Sequence, residues 1–124
     1  MAGDIPITVH GNITKDLELL NFPDGTPYVN FSIANTPRRY DRQTQQWTNA
    51  EATFFNVKAS GQIAVNAARS LSKGMRVIIE GTIAQCAFQG QDGQQHRVME
   101  ITASDIGASM LFNTVLVNRA NQTE

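Results

Sequence analysis

Four aromatic side chains of this chain fall among cations and polar groups, an arrangement suited to holding something flat and anionic. Tyr40 and Trp47 are the only large apolar groups of Thr36–Glu51, a long stretch rich in Gln, Arg and Thr, in which Arg38, Arg39 and Arg42 flank Tyr40. Phe54 lies in Ala52–Ser60, where alternation across a strand places Phe54, Asn56, Lys58 and Ser60 on one face and Thr53, Phe55, Val57 and Ala59 on the other. Phe88 ends the next extended run, and Arg97 adds a cation just beyond it. An isolated surface ring is ordinary. Rings alternating with cations along one groove suit an unpaired nucleic-acid strand, because bases stack at about 1–3 kcal/mol each and cations track the phosphates. The candidate contacts are therefore Arg38, Tyr40, Arg42, Trp47, Phe54, Lys58, Phe88 and Arg97. Tyr40 and Trp47 could instead pack on each other to pin a hairpin; for Trp47 both readings stand, whereas for Tyr40, Phe54 and Phe88 the groove is favoured.

Catalytic chemistry finds little to use. His10 and His96 are the only histidines; they fall on different strands, with no Cys or carboxylate at ligand spacing, so a metal site is not expected. No nucleophile elbow, phosphate loop or dinucleotide fingerprint is present, and Gly90-Gln-Asp-Gly93 reads as a turn. Asp16 and Glu18 share a strand face, the usual lot of solvated carboxylates. Neither an enzyme nor a cofactor is expected.

The elements that must position the rings follow from periodicity. Ile5–Thr14 alternates with Ile5, Ile7, Val9 and Ile13 on one side, and Gly11 stands where a bend or bulge would fit. Asp16–Phe22 reads as a shorter extension, closed by Phe-Pro-Asp-Gly-Thr, in which Pro23 presets φ and Gly25 accepts a positive one. Tyr28–Asn35 is a second strand, with Val29, Phe31 and Ile33 inward. Thr36–Glu51 is too long for a bare connection; Asp41-Arg42-Gln43-Thr44 can turn, which gives an extended hairpin with the two rings on its flanks. Ala52–Ala59 is the third strand. Ser60 can cap a helix over Gly61–Ser72, where Ile63, Ala67 and Leu71 recur every four residues, and Gly74 closes it. Met75–Phe88 is a strand that Gly81 lets bend, Gln89–Gln94 a hairpin connection, and Arg97–Asp105 a strand with Met99, Ile101 and Ala103 inward. Asn113–Arg119 reads as a sixth, short strand and Asn121–Glu124 as a frayed end. One helix between strands three and four is the plan of a five-stranded Greek-key OB barrel, whose strands two and three border a single groove with the loops after strands one and four.

The 124 residues suit one domain, with an OB unit over 1–110 and an extension over 111–124. Net charge is −1, so any basic patch is local rather than global. Nothing approaches the run of about 18 apolar residues that spans a bilayer, and the acidic N-terminus is no secretory signal. Cys86 is alone and cannot form an internal disulfide, which fits a reducing, cytoplasmic setting.

The ordered series Met-Ala-Gly-Asp at 1–4, Gly11-Asn12-Ile13, Val29-Asn30-Phe31, Thr36-Pro37-Arg38, Tyr40-Asp41-Arg42-Gln43-Thr44, Trp47, Ser70-Leu71, Lys73-Gly74, Arg76-Val77-Ile78, Glu80-Gly81 and Asp105-Ile106-Gly107 resembles the bacterial single-stranded DNA-binding protein family, its actinobacterial branch most closely. The likeness runs without gaps from about residue 1 to residue 119. It implies an OB-fold protomer in a homotetramer, a dimer of dimers, around which single-stranded DNA wraps without sequence preference during replication, recombination and repair. Family stacking positions fall on Tyr40, Phe54 and Phe88, and Met110–Arg119 matches an extra strand that clasps a neighbouring subunit. Some positions depart from the family: Ser60 stands where a ring is usual, and Leu20, Ala84 and Cys86 where basic residues are common. Fewer phosphate contacts imply weaker binding with a flatter salt dependence, which the extra Arg39 offsets in part. The chain given stops at Asn-Gln-Thr-Glu, so recruitment through the family's acidic tip is not expected of it. The competing reading is an OB module devoted to oligomerisation or partner binding. An OB-fold nuclease would need clustered carboxylates beside an Arg, and a dimeric replication-restart OB protein is a close relative of the first reading.

Overall fold

Alternation of aliphatic and polar residues produces strands with one dry face, and this chain bends them into a ring. The structure, a computed structural model, describes residues 3–120. Its elements are β1 (Ile5–Ile13), β2 (Leu20–Asn21), β3 (Pro27–Asn35), β4 (Arg38–Asp41), β5 (Gln46–Asn49), β6 (Thr53–Ser60), α1 (Gln62–Ser70), β7 (Arg76–Gln89) and β8 (Gln95–Ala108). The main sheet runs β1-β7-β8-β6-β3, and β1 also pairs with β3, which closes five strands into the expected OB barrel. Every neighbour is antiparallel except β6 and β8, which run parallel through Asn56–Lys58 and Glu100–Thr102. The core is Ile13, Val29, Ile33, Val57, Val77, Ile79 and Ile101, all fully buried, and each contributes on the order of 1.5–3 kcal/mol. The single helix packs Ala64 and Ala67 against β3, β6 and β8.

Two glycines shape the ring. At Gly11 a Cβ would stand 2.9 Å from the carbonyl oxygen of Ala34, so only glycine lets β1 pass from β7 to β3 there. The register with β7 runs on without a shift, so Gly11 is a close approach and not the alternative bulge. A bulge does fall at Glu80/Gly81 in the β7–β8 ladder, where the strand was expected to bend.

Several local expectations need correction. Ser60 ends β6 and caps nothing; the helix starts after Gly61, whose φ of +83° only glycine adopts readily, and no side-chain cap is made. The helix stops at Ser70 with an extended Leu71, and Gly74 lies beyond it, donating its N–H to the carbonyl of Ile13. Only Leu20–Asn21 of the Asp16–Phe22 extension pairs, against Tyr28 and Pro27. Met99 is exposed, because β7 and β8 continue past the barrel as a two-stranded ribbon with no core beneath it. The sixth strand expected over Asn113–Arg119 is absent from the single chain: the segment pairs with no strand and leaves Leu116 and Val117 exposed. The frayed end at Asn121–Glu124 lies outside the described residues.

Candidate nucleic-acid interface

The outer face of the barrel follows from parity. With Val57 and Ala59 buried, Phe54, Asn56, Lys58 and Ser60 point outward from β6. Their cross-strand partners on β3 are Ala34, Ser32, Asn30 and Tyr28. The parallel register with β8 places Glu100 beside Asn56 and Thr102 beside Lys58. β7 then adds Ala84, Cys86 and Phe88, opposite Glu100, Val98 and His96. Phe54 and Phe88 therefore stand on one continuous surface, 62% and 50% exposed, with β8 between their strands and Lys58 on the same strand as Phe54.

Asn30 and Glu100 divide this surface into two hollows. One, of 420 Å³, is walled by Phe22 and Tyr28 and rimmed by Lys58. The other, of 300 Å³, is bordered by Lys15, Ser32 and Asn56. Together they form a trough across β3, β6 and β8.

Tyr40 and Trp47 sit elsewhere, on the β4–β5 arm that leaves the barrel at the end of β3 and β6 nearest Phe54. The two are direct cross-strand partners, with ring centroids 5.4 Å apart at a 58° tilt. The rings pack on each other and brace the hairpin, and both remain about half exposed. Arg38 shares their side of the arm by parity, while Arg39 faces away. Arg42 lies in the tip, where the Asp41 carboxylate accepts the Gln43 N–H at 2.9 Å.

Phe88 stacks on its cross-strand partner His96, centroids 5.5 Å apart. The imidazole Nε2 lies 3.1 Å from Oδ1 of Asp92. A hydrogen bond from the Gln94 N–H, and then one from the His96 ring, hold the Asp92 carboxyl below the usual carboxylate range. The Phe88 ring therefore stands on a braced hairpin tip.

Two candidates are less well placed. Lys58 makes an ion pair with Glu100, Nζ to Oε1 3.0 Å, and the Cys86 thiol approaches the same oxygen at 3.6 Å. The principal cation of the outer face is therefore already neutralised. Arg97 pairs with Ala87, so it points to the opposite side of the ribbon from Phe88 and His96. Sequence reading also missed Lys15, Phe22, Tyr28, His96 and Glu100. Tyr28 has the same parity as Asn30 and was legible; Glu100 required the β6–β8 register, which no local pattern carries. Among the described residues no group of three or more His, Cys, Asp or Glu is placed to hold a metal ion. No described helix is long and apolar enough to cross a membrane.

Residues 6–109 match the single-strand binding protein family. A single-stranded DNA-binding protein of Mycobacterium tuberculosis (strain ATCC 25618 / H37Rv) is 42% identical over 123 residues, covering 99% of this chain and 75% of the relative. One from Corynebacterium glutamicum is 45% identical over 117 residues, 94% of this chain and 52% of that longer protein. The crystal structure of the small single-stranded DNA-binding protein from Streptomyces coelicolor superposes with a TM-score of 0.78 at 31% identity, covering 87% of this chain and 96% of that one.

Proposed function

The chain belongs to the single-strand binding protein family, and from that premise we propose that it coats single-stranded DNA without sequence preference, as a non-catalytic protector of unpaired strands in replication, recombination and repair. The observation that carries this reading is Phe54 and Phe88 exposed on one outer face above a polar trough. Rings so exposed serve no core, and their flat faces accept any base. Tyr40, backed by Trp47, extends the line of platforms onto the arm. Arg38 and Arg42 supply charge there, Lys58 supplies it on the barrel, and Arg97 would meet only a strand that wraps around the ribbon. Titrating the whole chain with poly-dT across a salt series tests the reading; no saturable binding at low salt would end it.

The acid in the trough sets the strength of that binding. Glu100 must release Lys58 before a phosphate can take its place, and an exposed pair of this kind is worth up to about 1 kcal/mol. Glu100→Gln is therefore expected to tighten oligonucleotide binding up to about five-fold and to steepen the salt slope by about 0.7. Unchanged affinity and slope in that variant would show that Lys58 takes no part.

A homotetramer in a cytoplasmic, nucleoid-associated setting is the assembly we favour. Its support is the segment after β8: Met110, Leu111, Phe112, Leu116 and Val117 are at least 65% exposed in the single chain, an apolar surface suited to clasping a second copy. An OB module devoted to assembly remains the second reading, favoured by that segment and by the neutralised Lys58. Light scattering of the purified chain fixes the assembly, and the oligonucleotide titration separates the two readings.

A further inference from the structure

We infer that the hollow between Phe22, Tyr28 and Ser60 is a further nucleobase site, with the Phe22–Tyr28 pair as its stacking platform and Lys58 as its phosphate contact. The inference rests on the proposed binding of unpaired DNA and adds a station to it. Phe22 and Tyr28 stack nearly parallel, centroids 4.1 Å apart and planes 16° apart. Phe22 is 44% exposed. Tyr28 lies directly across the β3–β6 ladder from Ser60, whose small side chain leaves the space beside the ring unfilled. The result is a 420 Å³ hollow with an aromatic wall on one side and Asn30, Lys58, Glu100 and Thr102 on the others. A base has this division of character, an apolar face and a polar edge. The hollow also shares Asn30 and Glu100 with the neighbouring one beside Lys15, so a strand crossing the trough would enter it without leaving the surface that bears Phe54.

The competing explanation is structural: the stack pins the Phe22–Thr26 turn, already closed by the Phe22 N–H to the Thr26 carbonyl at 2.9 Å, onto β3. The two roles separate by the shape of the replacement. Tyr28→Leu keeps an apolar contact with Phe22 and removes the flat face, whereas Tyr28→Phe keeps the ring. Poly-dT titration of the whole chain should show a loss of roughly 5- to 100-fold for Tyr28→Leu and near-parental affinity for Tyr28→Phe, with both variants melting within a few degrees of the parent. Photocrosslinking to an oligonucleotide carrying 5-iododeoxyuridine should attach to the peptide containing Phe22 and Tyr28. Parental affinity in Tyr28→Leu, or no crosslink to that peptide, overturns the inference. Phe54→Ala measured alongside keeps the two failures apart. If it weakens binding while Tyr28→Leu does not, only this site is lost; if the parent itself shows no saturable binding, the proposed function fails with it.

Discussion

Alanine in place of Tyr40, Phe54 and Phe88 together is expected to weaken binding to poly-dT by at least about 100-fold and to leave the melting temperature nearly unchanged. Each ring lost removes about 1–3 kcal/mol of stacking, and each 1.4 kcal/mol is tenfold in affinity. The three single variants should differ for reasons visible in the surroundings of each ring. Phe54, 62% exposed and in no ring pair among the described residues, should give the cleanest loss. Tyr40→Ala should cost less, because Trp47, 5.4 Å away, can take up the base. Phe88→Ala also strips His96 of its stacking partner, so its effect should include a looser hairpin tip. The measurement is a fluorescence titration at fixed salt beside a thermal melt. A change of less than about five-fold in the triple variant would mean that DNA, if bound at all, lies elsewhere.

The largest effect on stability is expected at Gly81. A Cβ there would run into the carbonyl oxygen of Thr102 and stand 3.0 Å from the Cα of Ala103. Both obstacles are backbone, so no rotamer change relieves the clash and the β7–β8 ladder must part at its bulge. Overpacking usually costs about 1–3 kcal/mol, and a clash with fixed main chain belongs at or above the top of that range. Gly81→Ala should lower the melting temperature by more than about 10 °C. Gly107→Ala is the matched control, since it makes the same chemical change on β8 where nothing lies within 4 Å. Equal melting of the two variants would refute the close approach.

The fold was legible because each barrel strand announces its dry face over several residues, as Val29, Phe31 and Ile33 do on β3. Legibility failed where a feature depends on a distant partner. Glu100 has an unremarkable local setting, and only the parallel register with β6 places it against Lys58. Arg97 was misplaced for a different reason. Alternation places Met99, Ile101 and Ala103 inward, and Arg97 shares their parity, so the same pattern turns it from the Phe88 side. Ser60 has the chemistry of a helix cap, but the β3–β6 ladder extends through it to Tyr28 and leaves Gly61 to turn the chain. Asn113–Arg119 has strand composition and no strand beside it, and composition alone cannot supply an edge to pair with.

Within the barrel, β6 and β8 are joined by a ladder that spans only Asn56–Lys58 and Glu100–Thr102, far shorter than the β7–β8 ladder. Short stitching opens most often, so amide protons of these residues should exchange with solvent sooner than those of the long hairpin. An oligonucleotide laid in the trough would cross that line like a splint. Its arrival should slow exchange at residues 56–58 and 100–102, and the protection would report occupancy of the face without any label on the DNA.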